Sequence, residues 1–499
     1  MVVDDSFGED KLVQHKLSEE DNILIENSLF TTNIDNITEV KSLSNDQEDI
    51  EDFIAATPIE VGEDKYPKDK TRAWCVACLG MLSISVTFGA FGGFGVYLTF
   101  YLNHSGFNGA TPLDYGFIGG IAFCLGQILS PFISLLCDLI GSRWLILLGL
   151  IIHTLGYILA SFATKIWQLY IFQGVMPGLS IALVFLTITL VLPTYFDKWL
   201  SLSMGCITAG AGLGGIIAVL YVNALIQKTG EVKWALRTMG ILGFVVLGAS
   251  FFIFVPNRII KYGLKRNFHR QFNFKIFKLY PLTILALWFG LTYMAYMVVL
   301  FTLSPYAHNV GLDLTQGTHV TLLLNVGQTV GRPFMGFLGD RFGRYNAATI
   351  INLLIVILIF AFWINATTYS SLMAFAMLSG LLVGVTPTMG QSLAHNILRD
   401  STKLPAAWSG LNICSGLCTL FAEVIALEVV DDSLSRPYIY TQVFAGSCYF
   451  AAFLMLLIIR QWMVYRALTE LENDEKGVRQ YISNTPKNIV IRMFYPIKV

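Results

Sequence analysis

Charged residues are scarce in this sequence. Asp, Glu, Lys and Arg make up 13% of the 499 residues and hydrophobic residues make up 55%, and the mean hydropathy is +0.61. An average soluble domain has about 25% charged residues, so this composition excludes an ordinary soluble fold. We expect a membrane protein whose surroundings are the lipid bilayer.

The sequence also lacks the motifs of common enzyme classes. It has no G-x4-G-K-[ST] loop, and its G-x-G-x-x-G match at 210–215 lies inside an apolar stretch, where small residues serve helix packing. The C-x2-C pair of Cys75 and Cys78 stands without a second pair, so its spacing does not indicate a metal site. We expect no enzymatic activity, no cofactor, no metal and no nucleic-acid partner.

The acidic residues that are present concentrate at the N-terminus. Residues 1–64 contain 18 Asp/Glu and only 3 Lys/Arg, and such a segment cannot bury enough apolar surface to order itself. The first apolar run begins near Trp74 and is too long for a secretory signal. We therefore expect residues 1–73 to form an acidic, disordered tail.

Twelve apolar stretches of about 20 residues, each long enough to cross a bilayer, lie between residues 74 and 462. They predict an all-α membrane protein with twelve transmembrane helices in two pseudo-symmetric halves, at 74–255 and 280–463. A basic loop at 256–279 joins the halves, and a tail at 464–499 follows. Lys and Arg concentrate at 65–72 and 258–278, so we expect both termini and the central loop to be cytosolic.

Spans 2 and 8 carry a repeated motif at equivalent places of the two halves. A shift of 202 residues aligns Pro131 with Pro333 and Asp138 with Asp340, as duplicated halves would. The second copy reads G-x3-D-x2-G-x-R, and the first has Ser134 in place of the leading glycine. The motif residues are Asp138, Gly141 and Arg143, and Gly336, Asp340, Arg341, Gly343 and Arg344.

This repeated motif resembles that of the major facilitator superfamily. The resemblance implies a secondary transporter that works by alternating access. A carboxylate at the cytosolic end of a helix can pair with loop arginines and with the N-terminus of a neighbouring helix, so we expect the motif to act as a gate. In the alternative interpretation, Arg341 and Arg344 only anchor the topology.

A narrower resemblance, covering about 69–460, is to the fungal branch of the monocarboxylate-porter family. Its residues are Asp69 and Trp74, Tyr195-Phe196-Asp197-Lys198, Met204-Gly205, the small-residue run 210–215 and Trp234-Ala235-Leu236-Arg237. The resemblance implies a functional arginine before a proline in span 8, matched by Arg332-Pro333. An aspartate and a lysine of the animal members are replaced here by Gln328 and by a glycine near Gly92, so their proton coupling does not carry over as it stands.

Span 8 also places a polar stripe inside the membrane. Thr321, Asn325, Gln328 and Arg332 follow one another at helical spacing. Intramembrane charge is costly and indicates function. We expect Arg332 to bind an anionic substrate group, with Gln328 and Asn325 beside it; the alternative is a structural arginine held by helix-end carbonyls.

Aromatic residues recur beside glycines in spans 1 and 7, which border the cavity in the superfamily. Phe91, Tyr293 and Tyr296 are either packing residues or part of a substrate site. A planar substrate such as riboflavin, which the fungal branch includes, would suit an aromatic lining. In span 11, Glu423 ends a polar stripe and is either a cavity-facing proton carrier for symport or an outer-rim glutamate exposed to water.

Together these patterns predict a secondary active or facilitative transporter of a small organic anion. Riboflavin or another planar metabolite is an alternative substrate, and a transporter-like sensor that binds without transport is an alternative of a different class. We expect the plasma membrane as its location, with the vacuolar membrane as the alternative. The sequence leaves the oligomeric state open.

Overall fold

The computed structural model describes residues 60–61, 63–103, 110–257, 260–261, 268, 270–399, 403–431, 433–471, 488 and 491–493. The described residues do not include positions 1–59 of the predicted disordered tail. They also do not include most of the predicted C-terminal tail after residue 471. The domain boundaries drawn from the sequence therefore stay predictions.

The first half consists of six helical spans. Two of them are bent: span 1 by 42° and span 2 by 50°. Span 1 bends where the glycine-rich segment Gly89–Gly93 forms a 3-10 turn between two α-helices. The six spans are Thr71–Val86 with Phe94–Asn103, Pro112–Ile128 with Ser130–Ile140, Ser142–Ala160, Ile166–Thr194, Leu200–Thr229 and Lys233–Ile253.

The second half repeats this arrangement as spans 7 to 12. Span 8 begins at a capping box, because the Asp313 side chain accepts a hydrogen bond from the backbone N–H of Gln316 at 2.7 Å. It ends at Gly343, whose φ of 100° suits glycine. The spans are Tyr280–Asn309, Leu314–Phe342, Arg344–Asn365, Tyr369–Val383 with Val385–Leu398, Leu404–Glu428 and Ile439–Leu471.

Most of these spans suit a bilayer. Within the described residues, nine helices are long and apolar enough to cross a membrane, or up to eleven if each bent pair is one span. The span outside this count is span 8, Leu314–Phe342, which is as long as its neighbours. It carries the polar stripe from Thr321 to Arg332, and those side chains are buried inside the protein rather than exposed to lipid.

The most extensive contacts between the two halves are those of span 5 with span 8 and of span 2 with span 11. Glycines allow the close approach. A Cβ at Gly205 would lie 2.5 Å from the Arg332 carbonyl oxygen, and one at Gly336 would lie 2.4 Å from the Ser201 carbonyl oxygen. Small residues at such contacts let helix backbones meet directly in a membrane.

The central loop lies at one end of the bundle, which we call the loop end; the opposite end is the far end. Two short antiparallel strands meet at the loop end, β1 at Glu60–Val61 and β2 at Ile260–Lys261. The segment that leads into span 1 continues this contact, since Lys65 N–H donates to the Asn257 carbonyl at 3.0 Å.

Candidate functional site

Arg332 lies in the interior of the second half and is 1% exposed. Its guanidinium donates to the Gln328 side-chain oxygen at 2.6 Å and to the Tyr296 hydroxyl at 3.2 Å. The Tyr296 hydroxyl in turn donates to the same Gln328 oxygen at 2.9 Å. The structure therefore brings together three of the predicted site residues.

The Arg332 site also reaches the first half. The guanidinium donates to the backbone carbonyl of Thr208 in span 5. Span 10 leaves room for the side chain at Gly384, where a Cβ would lie 2.4 Å from Arg332 Cγ. Arg332 thus lies where spans 5, 7, 8 and 10 meet, so its surroundings depend on how the two halves are placed.

No carboxylate neutralises this buried cation within the part of the chain that the structure describes. The ion pairs found there involve other residues, and the partners of Arg332 are an amide, a hydroxyl and a carbonyl. Its Nε has no hydrogen-bond partner. An unpaired charge at such depth is costly, and a bound anion would compensate it.

Gln127 in span 2 is a neighbour of this site that the sequence analysis missed. It is 1% exposed, and among the described residues neither polar atom of its amide has a partner with hydrogen-bond geometry. It lies beside the Tyr293 hydroxyl, which also lacks a hydrogen bond. A lone amide in the middle of an apolar span is a signal that could have identified it.

Phe91 belongs to an aromatic cluster at the interface of the halves. Its ring centroid lies 5.2 Å from that of Phe123 and 5.9 Å from that of Phe94. Phe94 contacts Phe301 of span 7 at 5.5 Å. Phe123 is one helical turn from Gln127, so span 2 connects this cluster to the polar groups near Tyr293.

Asn325 has a different setting from Arg332. Its amide donates to the Gly92 carbonyl of span 1 at 3.2 Å, and a Cβ at Gly215 of span 5 would lie 2.2 Å from its side-chain oxygen. The amide also donates to the Thr321 carbonyl of its own helix at 3.0 Å, so Asn325 joins the backbones of the two halves. The side-chain oxygen itself has no hydrogen-bond donor.

The second copy of the repeated motif joins the halves at the loop end. Asp340 accepts a hydrogen bond from Leu202 N–H at 3.0 Å and an ion-pair contact from Arg344 at 3.4 Å. Leu202 lies in the first turn of span 5, where a negative charge is favourable. Arg341 stacks on Phe337 and Phe342, and Arg344 also donates to Asn396 at 2.9 Å.

The first copy contacts the central loop. Asp138 accepts from Arg270 at 2.8 Å and from Gln271 at 3.2 Å, and Arg143 donates to the Phe252 carbonyl at 3.3 Å. Gly141 has a φ of 89°, close to the 100° of Gly343. The two copies thus share their backbone turn but have different partners.

A second carboxylate holds the start of span 5. Asp69 accepts hydrogen bonds from the backbone N–H groups of Asp197, Lys198 and Trp199 at 3.2 to 3.3 Å. Trp74 packs on Phe196 with ring centroids 5.0 Å apart. Two motifs of the family resemblance therefore form one contact.

A cleft of about 580 Å³ opens at the loop end beside Asp340. Its lining includes Lys198, Arg344, His395 and Arg399. These residues surround the repeated motif rather than Arg332, so the cleft belongs to the surroundings of the repeated motif.

Glu423 is buried, with 2% of its surface exposed. The interpretation as an outer-rim glutamate exposed to water is therefore wrong. The reason is packing: span 11 meets span 2 at Gly116, where a Cβ would lie 3.7 Å from Glu423 Cγ. The side chain lies at the interface between the two halves.

Comparison with known proteins decides the family. The family model described as Major Facilitator Superfamily matches residues 73–318 and 285–487. The chain belongs to the major facilitator superfamily. It is therefore a multi-pass membrane protein of a superfamily of transporters, which confirms the all-α fold and the broader resemblance.

Individual relatives agree with this assignment. The "Uncharacterized transporter ESBP6" of Saccharomyces cerevisiae is 37% identical over 417 residues, which are 82% of this chain and 62% of ESBP6, so the chain spans less than two thirds of that relative. The "Probable transporter MCH2" of the same yeast is 31% identical over 422 residues, covering 83% of this chain and 86% of MCH2. The "Aspyridones efflux protein apdF" of Emericella nidulans is 27% identical over 345 residues, 68% of each chain.

These names are those of transporters and an efflux protein, which agrees with the expectation of a transporter rather than an enzyme. The relatives named here are fungal proteins.

Proposed function

We propose that the protein carries a small organic anion across a membrane by alternating access, and that Arg332 binds the anionic group. The observation that carries the proposal is the buried guanidinium without a carboxylate partner among the described residues. Guanidinium binds carboxylates through paired donors, and Arg332 Nε is still without an acceptor.

Gln328 supports this role for Arg332. A carboxylate at position 328 would neutralise the guanidinium, whereas the amide oxygen of Gln328 orients it at 2.6 Å and leaves its charge uncompensated. The cation stays available to a substrate anion. Because Thr208 of the first half also accepts from Arg332, movement of the halves would change this site, as alternating access requires.

The aromatic cluster favours a substrate with an apolar or planar body. Phe91, Phe123 and Phe301 lie on three spans from both halves, and Gln127, one turn from Phe123, lies beside Tyr293. Rings provide a large contact area at low entropic cost. A riboflavin-like planar metabolite is therefore the second candidate.

The membrane and the orientation are proposals as well. We propose the plasma membrane, with the vacuolar membrane as the alternative and both termini in the cytosol, because basic residues concentrate in the central loop. One relative is named as an efflux protein, so both directions of transport have to be measured.

Purified protein in liposomes tests the proposal. Uptake and release of labelled pyruvate, lactate and riboflavin are compared with those of protein-free liposomes. Saturable movement of pyruvate or lactate supports the anion carrier, and movement of riboflavin alone supports the planar-metabolite alternative. Binding without movement would favour the sensor, and the absence of both would contradict the proposal for these substrates.

A further inference from the structure

Glu423 is the one acidic side chain that is buried among the described residues. It lies on the face of span 11 that meets span 2. A Cβ at Gly120 would be 2.6 Å from the Leu420 carbonyl oxygen, and one at Gly416 would be 3.0 Å from the Cys124 carbonyl oxygen. Glu423 lies one turn beyond Leu420, toward the far end of this close contact.

Within the described part of the chain, neither carboxylate oxygen of Glu423 has a hydrogen-bond partner. Two titratable groups on the helices around span 11 bond other residues: Asp114 of span 2 accepts from Tyr170 at 2.9 Å, and Tyr296 of span 7 donates to Gln328 at 2.9 Å. Tyr449 of span 12 is buried, and among the described residues its hydroxyl has no hydrogen-bond partner.

Burying an ionised carboxylate without a donor costs several kcal/mol. The packed interface between spans 2 and 11 therefore fits the protonated carboxyl. If the spans part at the far end, water reaches the side chain and the ionised form is no longer penalised. The protonation of Glu423 and the packing of the far end are thus thermodynamically linked.

We infer that Glu423 is a proton site that couples closing of the far end to proton uptake. On closing, a proton from water forms an O–H bond with the carboxylate; on opening to water, that bond breaks and the proton leaves. The inference rests on the proposed transport function, for which it names the coupling ion. Gln328 beside Arg332 does not titrate, so the proton site lies apart from the anion site.

The first test uses no substrate. Spin labels are placed on cysteines introduced at Ala110 and Val429, next to the far ends of spans 2 and 11, after the eight native cysteines have been replaced. Distances are measured by pulsed EPR in mildly acidic and mildly alkaline buffer. We expect the short, closed distance to predominate in acid and a longer one to gain population as the pH rises.

Glu423→Gln resembles the protonated form, so this variant should show the short distance in both buffers. Glu428→Gln, an exposed position near the end of the same helix, is the matched control and should keep the pH response. The inference is overturned if the distance in the labelled protein that keeps Glu423 does not change with pH. It is also overturned if the distance in the Glu423→Gln variant changes with pH in the same way as in the protein that keeps Glu423.

The second test uses labelled lactate and pyruvate in liposomes. Glu423→Gln should lose uptake driven by a proton gradient but keep exchange of labelled for unlabelled acid, because exchange requires no net proton movement. Retained gradient-driven uptake would contradict the inference. If neither acid moves even with Glu423 present, the proposed substrate class fails, whereas the distance measurement still decides the role of Glu423.

Discussion

The carboxylate of Asp340 accepts a hydrogen bond at 3.0 Å from the backbone N–H of Leu202. Asp340 lies in the last turn of span 8 in the second half, and Leu202 lies in the first turn of span 5 in the first half. This contact therefore crosses between the halves. Gly336 brings the two backbones close enough for it. The contact stabilises the loop end only while the halves are together there, which is the property of a gate.

Asp340→Asn should favour opening of the loop end. The asparagine oxygen still accepts a hydrogen bond but loses the charge that interacts with the span 5 N-terminus and with Arg344, a loss of about 1 kcal/mol or a factor of about five in population. We expect the protein to fold and insert, with lower transport. The measurement is modification of a cysteine introduced at the loop end by a membrane-impermeant reagent.

Asp69→Asn is the matched control for that variant. Asp69 holds the start of the same helix, but it belongs to the first half. The Asp69→Asn variant should have a lower thermal stability, but the accessibility of the loop-end cysteine should not increase. Equal accessibility changes in the two variants would contradict the gate.

Gly336→Ala should keep spans 5 and 8 apart. Its Cβ would lie 2.4 Å from the Ser201 carbonyl oxygen, and such overpacking costs about 1–3 kcal/mol. Transport should fall strongly while Gly248→Ala, whose added Cβ would meet only Leu150 at 3.7 Å, leaves it unchanged. Uptake at equal membrane abundance measures both, and wild-type uptake by Gly336→Ala would show that this contact is not required.

Removal of residues 1–59 should preserve transport per molecule. The acidic composition of this segment predicts no packed structure, and the contacts with the start of span 5 that the structure describes are made by Lys68 and Asp69, which the deletion retains. Abundance at the membrane is measured separately, because trafficking is a different property. Reduced specific uptake at equal abundance would assign the tail a direct part in transport.

Much of the fold follows from the sequence because apolar length and repetition are local properties. The twelve stretches and the shift of 202 residues indicated two six-helix halves, and the described residues contain up to eleven helices that qualify as membrane spans, together with the polar span 8. The positive φ of Gly141 and Gly343 reflects the same repetition. Periodicity also identified the stripe that contains Arg332 and Gln328.

Other features depend on contacts between distant residues and could not be predicted from spacing. Nothing local pairs Asp69 with the N–H groups of 197–199, or places Gln127 beside Tyr293. The environment of Glu423 was left open because a helix position near a span end is compatible with both water and protein neighbours. Only the packing of span 2 against span 11 decides between them.

The role of Arg332 in binding is tested by replacing it. Arg332→Lys keeps the charge but loses the paired donors, and Arg332→Gln loses both. Losing a buried, charge-assisted contact costs about 2 kcal/mol or more, which corresponds to a Kd increase of about 30-fold. Arg436→Gln, at an exposed arginine between spans 11 and 12, is the matched control.

The decisive measurement is the Kd of labelled pyruvate or lactate, whichever is transported, for the purified proteins in detergent. We expect Arg332→Gln to weaken binding by about 30-fold or more, Arg332→Lys to fall between it and the wild type, and Arg436→Gln to bind as the wild type does. An unchanged Kd in a correctly folded Arg332→Gln protein would show that Arg332 is structural and that the anion binds elsewhere.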